Sequence, residues 1–321
     1  MVLVSDRVLV TGAAGFVGRH LVERLLADGQ SVVATDLPSA PPDPLDAAAV
    51  DYRSGDLRVS AFRDELLASE YDRVYHLAAV VGVDDYHRNP LEIVEINVGA
   101  TRHLLEAVRD RDLRFVYTST SEVYGKNPAV PWAEDDDRVL GPPTNDRWSY
   151  STGKGLCEHM IHGLADEATF RPTVVRPFNL YGPGQRPDFV VPAFVEAVVD
   201  GAVPTVYGDG AQTRCFTYID DFIEGFVRAA RRPEAVGEAI NLGSTRETHI
   251  EDLAHLVLDV AGLDDEDPEY RDPAEVYGEG YEDLDRRVPD VSKAERLLDW
   301  SATMPLRTGV KRLLEWGREN Y

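Results

Sequence analysis

The chain has 321 residues, 43% of them hydrophobic, enough for one large α/β domain or two domains sharing a cleft. Its formal net charge is -24, a field that repels nucleic acid, so a DNA- or RNA-binding role is excluded on charge. No run approaches the ~18 consecutive apolar residues of a membrane-spanning helix. Leu3–Val10 is apolar but broken by Asp6 and Arg7, so it lacks a secretory pattern and the chain reads as cytoplasmic. Two cysteines, Cys157 and Cys215, with no CxxC spacing, read as packed reduced thiols, and no metal site is expected.

In chain order, strands are expected at Arg7–Val10, Ser31–Thr35, Arg73–Leu77, Arg114–Thr118 and Thr173–Val175, alternating with helices at Val17–Ala27, Leu91–Arg109 and Tyr150–Ala165. This alternation predicts an α/β fold: a doubly wound parallel sheet with helices on both faces. After the Pro- and Gly-rich stretch 177–192, a helix at Ala193–Asp200, a strand at Thr205–Tyr207, a helix from about Asp220 and a strand at Ala239–Leu242 follow. The expected division is a dinucleotide-binding domain over 1–176, with 216–242 returning to it. A smaller C-terminal substrate-binding lobe takes 177–215 and 243–321.

The first strand runs into Thr11-Gly12-Ala13-Ala14-Gly15-Phe16-Val17-Gly18 and then a helix. Gly12 permits a tight turn, Gly15 lets a pyrophosphate approach the backbone, and Gly18 allows close helix–strand packing. The helix N-terminus turns free N–H groups toward the phosphates. Asp36 ends the second strand 18 residues after Gly18. An acid there accepts hydrogen bonds from ribose hydroxyls and repels a 2′-phosphate, which favours NAD over NADP.

Tyr150-Ser151-Thr152-Gly153-Lys154 opens a helix and puts a phenol and an ammonium on one face. The cation is expected to lower the phenol pKa toward working pH, as suits a general base acting on a carbinol. Thr118, Thr120, Ser121 and Glu122 follow the strand that ends at Thr118, where ligands of open α/β sheets bind. Thr120 or Ser121 suits a hydrogen bond to a reacting hydroxyl, and Glu122 suits proton transfer at a neighbouring carbon.

TGAAGFVG, GDL at Gly55–Leu57, HLAA at His76–Ala79, Asn97, STSEVYG, YSTGK, RPFNLYGPG at Arg176–Gly184, VYGDGAQTRCFTYIDD at Val206–Asp221 and RRVPD at Arg286–Asp290 occur in that order. With them the chain resembles, over essentially its full length, the extended short-chain dehydrogenase/reductases of the NAD-dependent epimerase/dehydratase type, nucleotide-sugar enzymes on a Rossmann sheet. The resemblance implies adenine contacts from Asp56 and Leu57. It puts Leu77, Ala78 and Ala79 along the pyrophosphate and ribose, and Phe16, Val17, Asn97, Thr118 and Pro177 beside NAD. Thr120 would bind the sugar 4-hydroxyl, Tyr150 take its proton and Lys154 hold the nicotinamide ribose. Asn179, Arg214 and Arg287 would grip the diphosphate and nucleoside, with Thr205, Tyr207 and Val191 nearby.

The same resemblance implies a transient 4-keto sugar and a homodimer formed through the helices at 91–109 and 150–165. Glu122 resembles both the 4,6-dehydratases and the UDP-glucuronate decarboxylases, and Arg147-Trp148-Ser149-Tyr150 resembles the decarboxylase branch, so decarboxylation is favoured, ahead of 4-epimerisation and then dehydration. The short RPFNLYGPGQRPDF loop instead resembles a dehydratase acting on an N-acetylhexosamine nucleotide. A non-catalytic NAD sensor would lack the Tyr/Lys pair or the sugar-side arginines, which this chain has. A simple alcohol dehydrogenase would accumulate NADH.

Lysine occurs only at 126, 154, 293 and 311, so arginine supplies the other basic residues, and acid runs fall at 134–137 and 264–267. Two readings of this acidity stay open: adaptation to high salt, or a GC-rich genome that favours Arg, Asp and Ala codons. If salt adaptation holds, the denaturation midpoint rises markedly between low and molar KCl, because screening relieves surface self-repulsion. No gain at molar salt assigns the acidity to composition.

Overall fold

The structure is a computed structural model that describes residues 5–37, 50–81, 90–277 and 284–321. Its centre is a seven-stranded parallel sheet: β1 Arg7–Thr11, β2 Ser31–Asp36, β3 Asp51–Ser54, β4 Arg73–His76, β5 Arg114–Thr118, β6 Arg171–Pro177 and, later in the chain, β11 Ala239–Leu242. The spatial order is β11-β6-β5-β4-β1-β2-β3, so the winding reverses between β1 and β4. A crevice at the carboxyl ends of the strands is the consequence of that reversal. The doubly wound sheet is therefore as expected, and 239–242 lies in it, paired in parallel with β6.

The strands are apolar because both faces are covered. Alternate residues go to opposite sides: Val8 and Val10 join one cluster and Leu9 the other. The first side is covered by α1 (Phe16–Ala27) and α7 (Ile219–Arg231). Its core runs on through Val191, Phe194, Leu253, Val257 and Leu313 of the later helices α6 (Val190–Val199), α8 (Ile250–Ala261) and α11 (Leu306–Asn320). The second side carries α2 (Ser60–Leu66), α4 (Ala100–Val108) and α5 (Arg147–Leu164), with Leu66, Leu104 and Ile161 against Leu9, Phe115 and Tyr117.

Small strand pairings carry the remaining segments. β7 (Leu180–Tyr181) pairs with β10 (Thr217–Tyr218), and β8 (Thr205–Tyr207) with β13 (Glu269–Arg271). A three-stranded sheet has the order β12 (Glu247–His249), β9 (Thr213–Cys215), β14 (Arg286–Arg287). Short helices α9 (Ala274–Tyr277) and α10 (Ser292–Leu298) complete the order.

Two expectations are corrected. The helix expected at Leu91–Arg109 is broken: α3 (Pro90–Val94) leads into a π turn, Glu95–Gly99, before α4. The wide turn aims Asn97 at the loop after β4, where its amide accepts from Val80 N at 2.7 Å and donates to Val80 O at 3.0 Å. Sequence reading also missed β3. Its Asp-Tyr-Arg-Ser has no buried position, as befits an edge strand without the apolar signal that marks the others. No element is expected after Leu242, where α8, α10 and α11 form, nor are the short strands β7, β9, β10 and β12 to β14. The elements that are expected move at their boundaries by a few residues, as at Arg147 rather than Tyr150 for α5.

Candidate functional site

The glycine turn is built by contact between backbones. A Cβ at Gly12 would lie 2.6 Å from Ala78 N, and one at Gly18 would lie 2.1 Å from Gly12 O, so neither position admits a side chain. Gly12 also has φ +72°, which favours glycine. At Gly15 the only neighbour of an added Cβ, among the described residues, is Gly12 O at 3.2 Å, leaving that side of the turn open. Helix α1 begins there with Gly15 as its cap, without a side-chain cap and with no acid in its first turn. Uncapped N–H groups and a positive dipole end fit a dinucleotide pyrophosphate.

Asp36 closes the turn from β2: one carboxylate oxygen accepts from Ala14 N at 2.9 Å and the other from Leu37 N at 2.8 Å. On the other flank Leu77 N and Ala78 N donate to Thr11, at 3.1 Å to its carbonyl and 3.3 Å to its hydroxyl. Ala79 follows them. His76 is a bonded core histidine, held by Thr11 Oγ1 at 2.7 Å and Thr101 Oγ1 at 2.9 Å; burial lowers its pKa to about 3, so it is neutral. Asp56 is engaged by Arg58 through Nε at 2.9 Å and Nη2 at 2.7 Å, with Leu57 buried beside it. Phe16 meets His20 edge-on, and His20 contacts Pro183 O at 2.9 Å, which ties the turn to the 182–189 loop.

Lys154 and Tyr150 share one face of α5 above the end of β5. The Lys154 ammonium is 3% exposed, donates to Thr118 O at 2.8 Å, and lies 4.8 Å from the Tyr117 ring centroid and 6.0 Å from that of Tyr150. Burial lowers its pKa to about 8, with Cys157 and Glu158 working the other way. Tyr150 corrects an expectation: its phenol stands above the ordinary value, not below it. Desolvation is the first cause and the Glu122 carboxylate the second, while a hydrogen bond with Thr120 opposes them. Loss of water and a like charge both disfavour the phenolate, and the Thr120 hydrogen bond offsets them only in part.

Thr120, Ser121 and Glu122 occupy a short 3-10 turn, Ser121–Tyr124, capped by the Thr120 hydroxyl accepting from Glu122 N at 3.2 Å. The Glu122 carboxylate is held by two guanidinium groups. Arg287 Nη1 bonds Oε1, and Arg147 Nη2 approaches Oε2 at 3.4 Å. All three side chains are at most about a fifth exposed, so these charges meet with little screening.

Arg287 and Arg214 are register partners on parallel β14 and β9, which puts them next to each other. Arg214 also donates to Thr213 O at 2.7 Å and Leu284 O at 2.8 Å. Asn179, in the left-handed region at φ 37°, donates to Cys215 O at 3.3 Å. Pro177 ends β6, Val191 is buried at the start of α6, and Thr205 and Tyr207 lie on β8 away from the Glu122 cluster in the sheet pairing.

Sequence reasoning assigned no role to Arg147, Arg138, Glu158 or Arg176. Glu158 is four residues after Lys154, a spacing that puts it on the same face, and Arg176 opens the quoted RPFNLYGPG stretch. Arg138 gives no signal; it stitches Val123 O at 3.0 Å to Ser151 O at 3.1 Å across 28 residues of chain.

Among known proteins, the profile of the NAD dependent epimerase/dehydratase family matches residues 8–243. The chain is 34% identical to UDP-N-acetyl-alpha-D-glucosaminuronate decarboxylase of Bacillus cytotoxicus, over 98% of each chain. It is 31% identical to UDP-glucuronic acid decarboxylase 1 of Xenopus tropicalis, over 98% of this chain and 72% of that one. The solved UDP-glucuronic acid 4-epimerase of Bacillus cereus, in complex with UDP-glucuronic acid and NAD, superposes with a TM-score of 0.86 at 29% identity, over 98% of this chain and 100% of that one.

A folded Lys154 pKa of about 8 against an ordinary 10.5 has a measurable consequence. Between those values the unfolded chain binds a proton that the folded chain has released, so stability rises with pH. The denaturation midpoint of the wild type is expected to climb relative to Lys154→Met from pH 8 to 10.5. Parallel curves would show an unshifted lysine.

Proposed function

The chain belongs to the NAD-dependent epimerase/dehydratase family, an enzyme of nucleotide sugars that uses NAD, and from that premise we propose that it decarboxylates a UDP-hexuronate, UDP-glucuronate first. The observation that carries this reading is the Glu122 carboxylate held between Arg147 and Arg287 beside the Tyr150 phenol. A uronate carries a carboxylate that a neutral hexose lacks, and in a chain of net charge -24 its recognition needs local guanidinium groups. The two decarboxylases similar along the whole chain support the same class of substrate.

In this mechanism Tyr150 acts in its phenolate form, which burial and Glu122 make strongly basic, and takes the proton of the sugar 4-hydroxyl, which the Thr120 hydroxyl orients. Bound NAD would supply the hydride acceptor for carbon 4 and the hydride for its re-reduction. With carbon 4 a ketone, the carbon-6 carboxylate stands β to a carbonyl. The bond between carbons 5 and 6 then breaks, carbon dioxide leaves, and the electron pair delocalises onto the ketone oxygen. Glu122 relays a proton from solvent water to carbon 5, and Tyr150 gives its proton back to oxygen 4 as carbon 4 is reduced again, which leaves the phenolate ready for the next turnover. Ser121 and Lys154 complete the reacting face. Lys154 would hold the nicotinamide ribose, the turn at Gly15 and the N-terminus of α1 the pyrophosphate, and Asp36 the adenosine ribose, with Gly12 and Gly18 keeping the turn tight. Arg214 and Asn179 take the substrate diphosphate.

One further feature belongs to this reading. The helices at 90–108 and 147–164 carry exposed Leu91, Val94 and Leu156, at 83%, 50% and 47% exposure, and these form the face of a homodimer. Light scattering is expected to give twice the chain mass, and Leu156→Asp a monomer; a wild-type monomer would refute the dimer.

The reaction is tested by mass spectrometry of products from UDP-glucuronate and UDP-N-acetylglucosaminuronate. Carbon dioxide is lost from one of them, and Glu122→Gln slows that loss by about 10²-fold. An unchanged mass with a new retention time means 4-epimerisation, the reaction of the Bacillus cereus neighbour, and loss of water means dehydration; either refutes decarboxylation.

A further inference from the structure

Behind the reacting face lies a buried polar frame that the chemistry does not use. Successive turns of α5 hold successive residues at the end of β5: Lys154 donates to Thr118 O at 2.8 Å, and the carboxylate of Glu158, four residues on, accepts from the Ser119 hydroxyl. Arg176 of β6 then grips Glu158 through both edges, Nε at 3.0 Å and Nη2 at 2.6 Å, each side chain being 8% exposed. Its remaining nitrogen donates to the Tyr124 hydroxyl at 2.8 Å and to Glu134 O at 2.9 Å. Tyr124 donates in turn to Asn241 Oδ1 of β11 at 2.7 Å, and Asn241 Nδ2 is tied to Trp132 O at 2.9 Å.

The turn that carries Thr120 and Glu122 is thus clasped on both sides, at 118–119 by α5 and at 124 by β6 and β11. Thr120 and Glu122 sit between the clasps, Thr120 hydrogen-bonded with the Tyr150 phenol and Glu122 paired with two guanidinium groups. We infer that Arg176 and Glu158, with Tyr124, are positioning residues for catalysis: their buried network fixes the 119–124 turn against the helix of Tyr150 and Lys154. An error of about 1 Å in such a turn costs catalysis far more than binding. A buried ion pair contributes little net stability against an apolar replacement, so a role in geometry accounts for the arrangement better than a role in stability.

The inference rests on the assignment of Tyr150, Thr120 and Glu122 to the chemistry, and does not depend on decarboxylation. The assay follows whichever nucleotide sugar the wild type converts, so a wild type that epimerises leaves this test intact. Glu158→Gln alone strands the Arg176 charge and is expected to lower both Tm and kcat. The double variant Glu158→Gln/Arg176→Met removes the charges together and recovers Tm. Its kcat is expected to stay down by about tenfold to a hundredfold while KM is unchanged. Recovery of kcat together with Tm, or a raised KM at wild-type kcat, overturns the inference. If the double variant does not fold, Tyr124→Phe decides. It keeps the ring and removes only the hydroxyl between Arg176 and Asn241, so a severalfold lower kcat at constant KM supports positioning, and wild-type kcat overturns it.

Discussion

One hydrogen bond organises the catalytic half of the molecule: the buried ammonium of Lys154 on the carbonyl of Thr118. A charged amine with 3% exposure is costly unless its donors are occupied, and here a strand end supplies the acceptor. That bond sets α5 over the carboxyl end of β5, which is also where the winding of the sheet reverses nearby and a ligand crevice opens. Tyr150, one turn earlier on the same helix face, has no other place to go than the mouth of that crevice. The lowered pKa of Lys154 and the raised pKa of Tyr150 have the same origin, removal of water from both groups.

Around this point the molecule sorts charge against its own average. The net charge is -24, yet the reacting face presents Arg147, Arg287 and Arg214. A strongly acidic surface discourages anionic ligands except where guanidinium groups are concentrated, which is why the proposed reaction assigns the nucleotide sugar to this face. Glu122 occupies those groups with its own carboxylate. It is a local counter-ion that keeps two like charges close in a poorly screened site.

The cofactor half rests on a different constraint, the close approach of two backbones. α1 meets the turn after β1 at a separation that only a hydrogen atom at Gly18 allows. That turn meets the backbone after β4 at one that only a hydrogen at Gly12 allows, and the helix N-terminus carries no side-chain cap at Gly15. The π turn at Glu95–Gly99 contributes from the next crossover by presenting Asn97 to Val80. Both halves therefore use backbone geometry at the carboxyl edge of the sheet, and side-chain charge enters from the C-terminal segments.

What the sequence determined by itself was the local physics. Apolar runs bounded by turns marked β1, β2, β4, β5 and β6, and the glycine spacing after β1 located the tight turn into α1. The four-residue interval from Tyr150 to Lys154 put both groups on one helix face. These signals are legible because each depends on residues within a few positions of one another. The tertiary structure alone decided the rest. Glu122 and Arg287 are 165 residues apart, and nothing in their surroundings in the chain pairs them. The direction of the Tyr150 pKa shift turned on burial, which the spacing to Lys154 does not encode. The Glu158–Arg176–Tyr124–Asn241 frame spans α5, β6, the turn after β5 and β11, and forms only when the sheet brings them side by side. Periodicity reports which face a side chain takes, whereas ion pairing and desolvation depend on what the fold packs against that face.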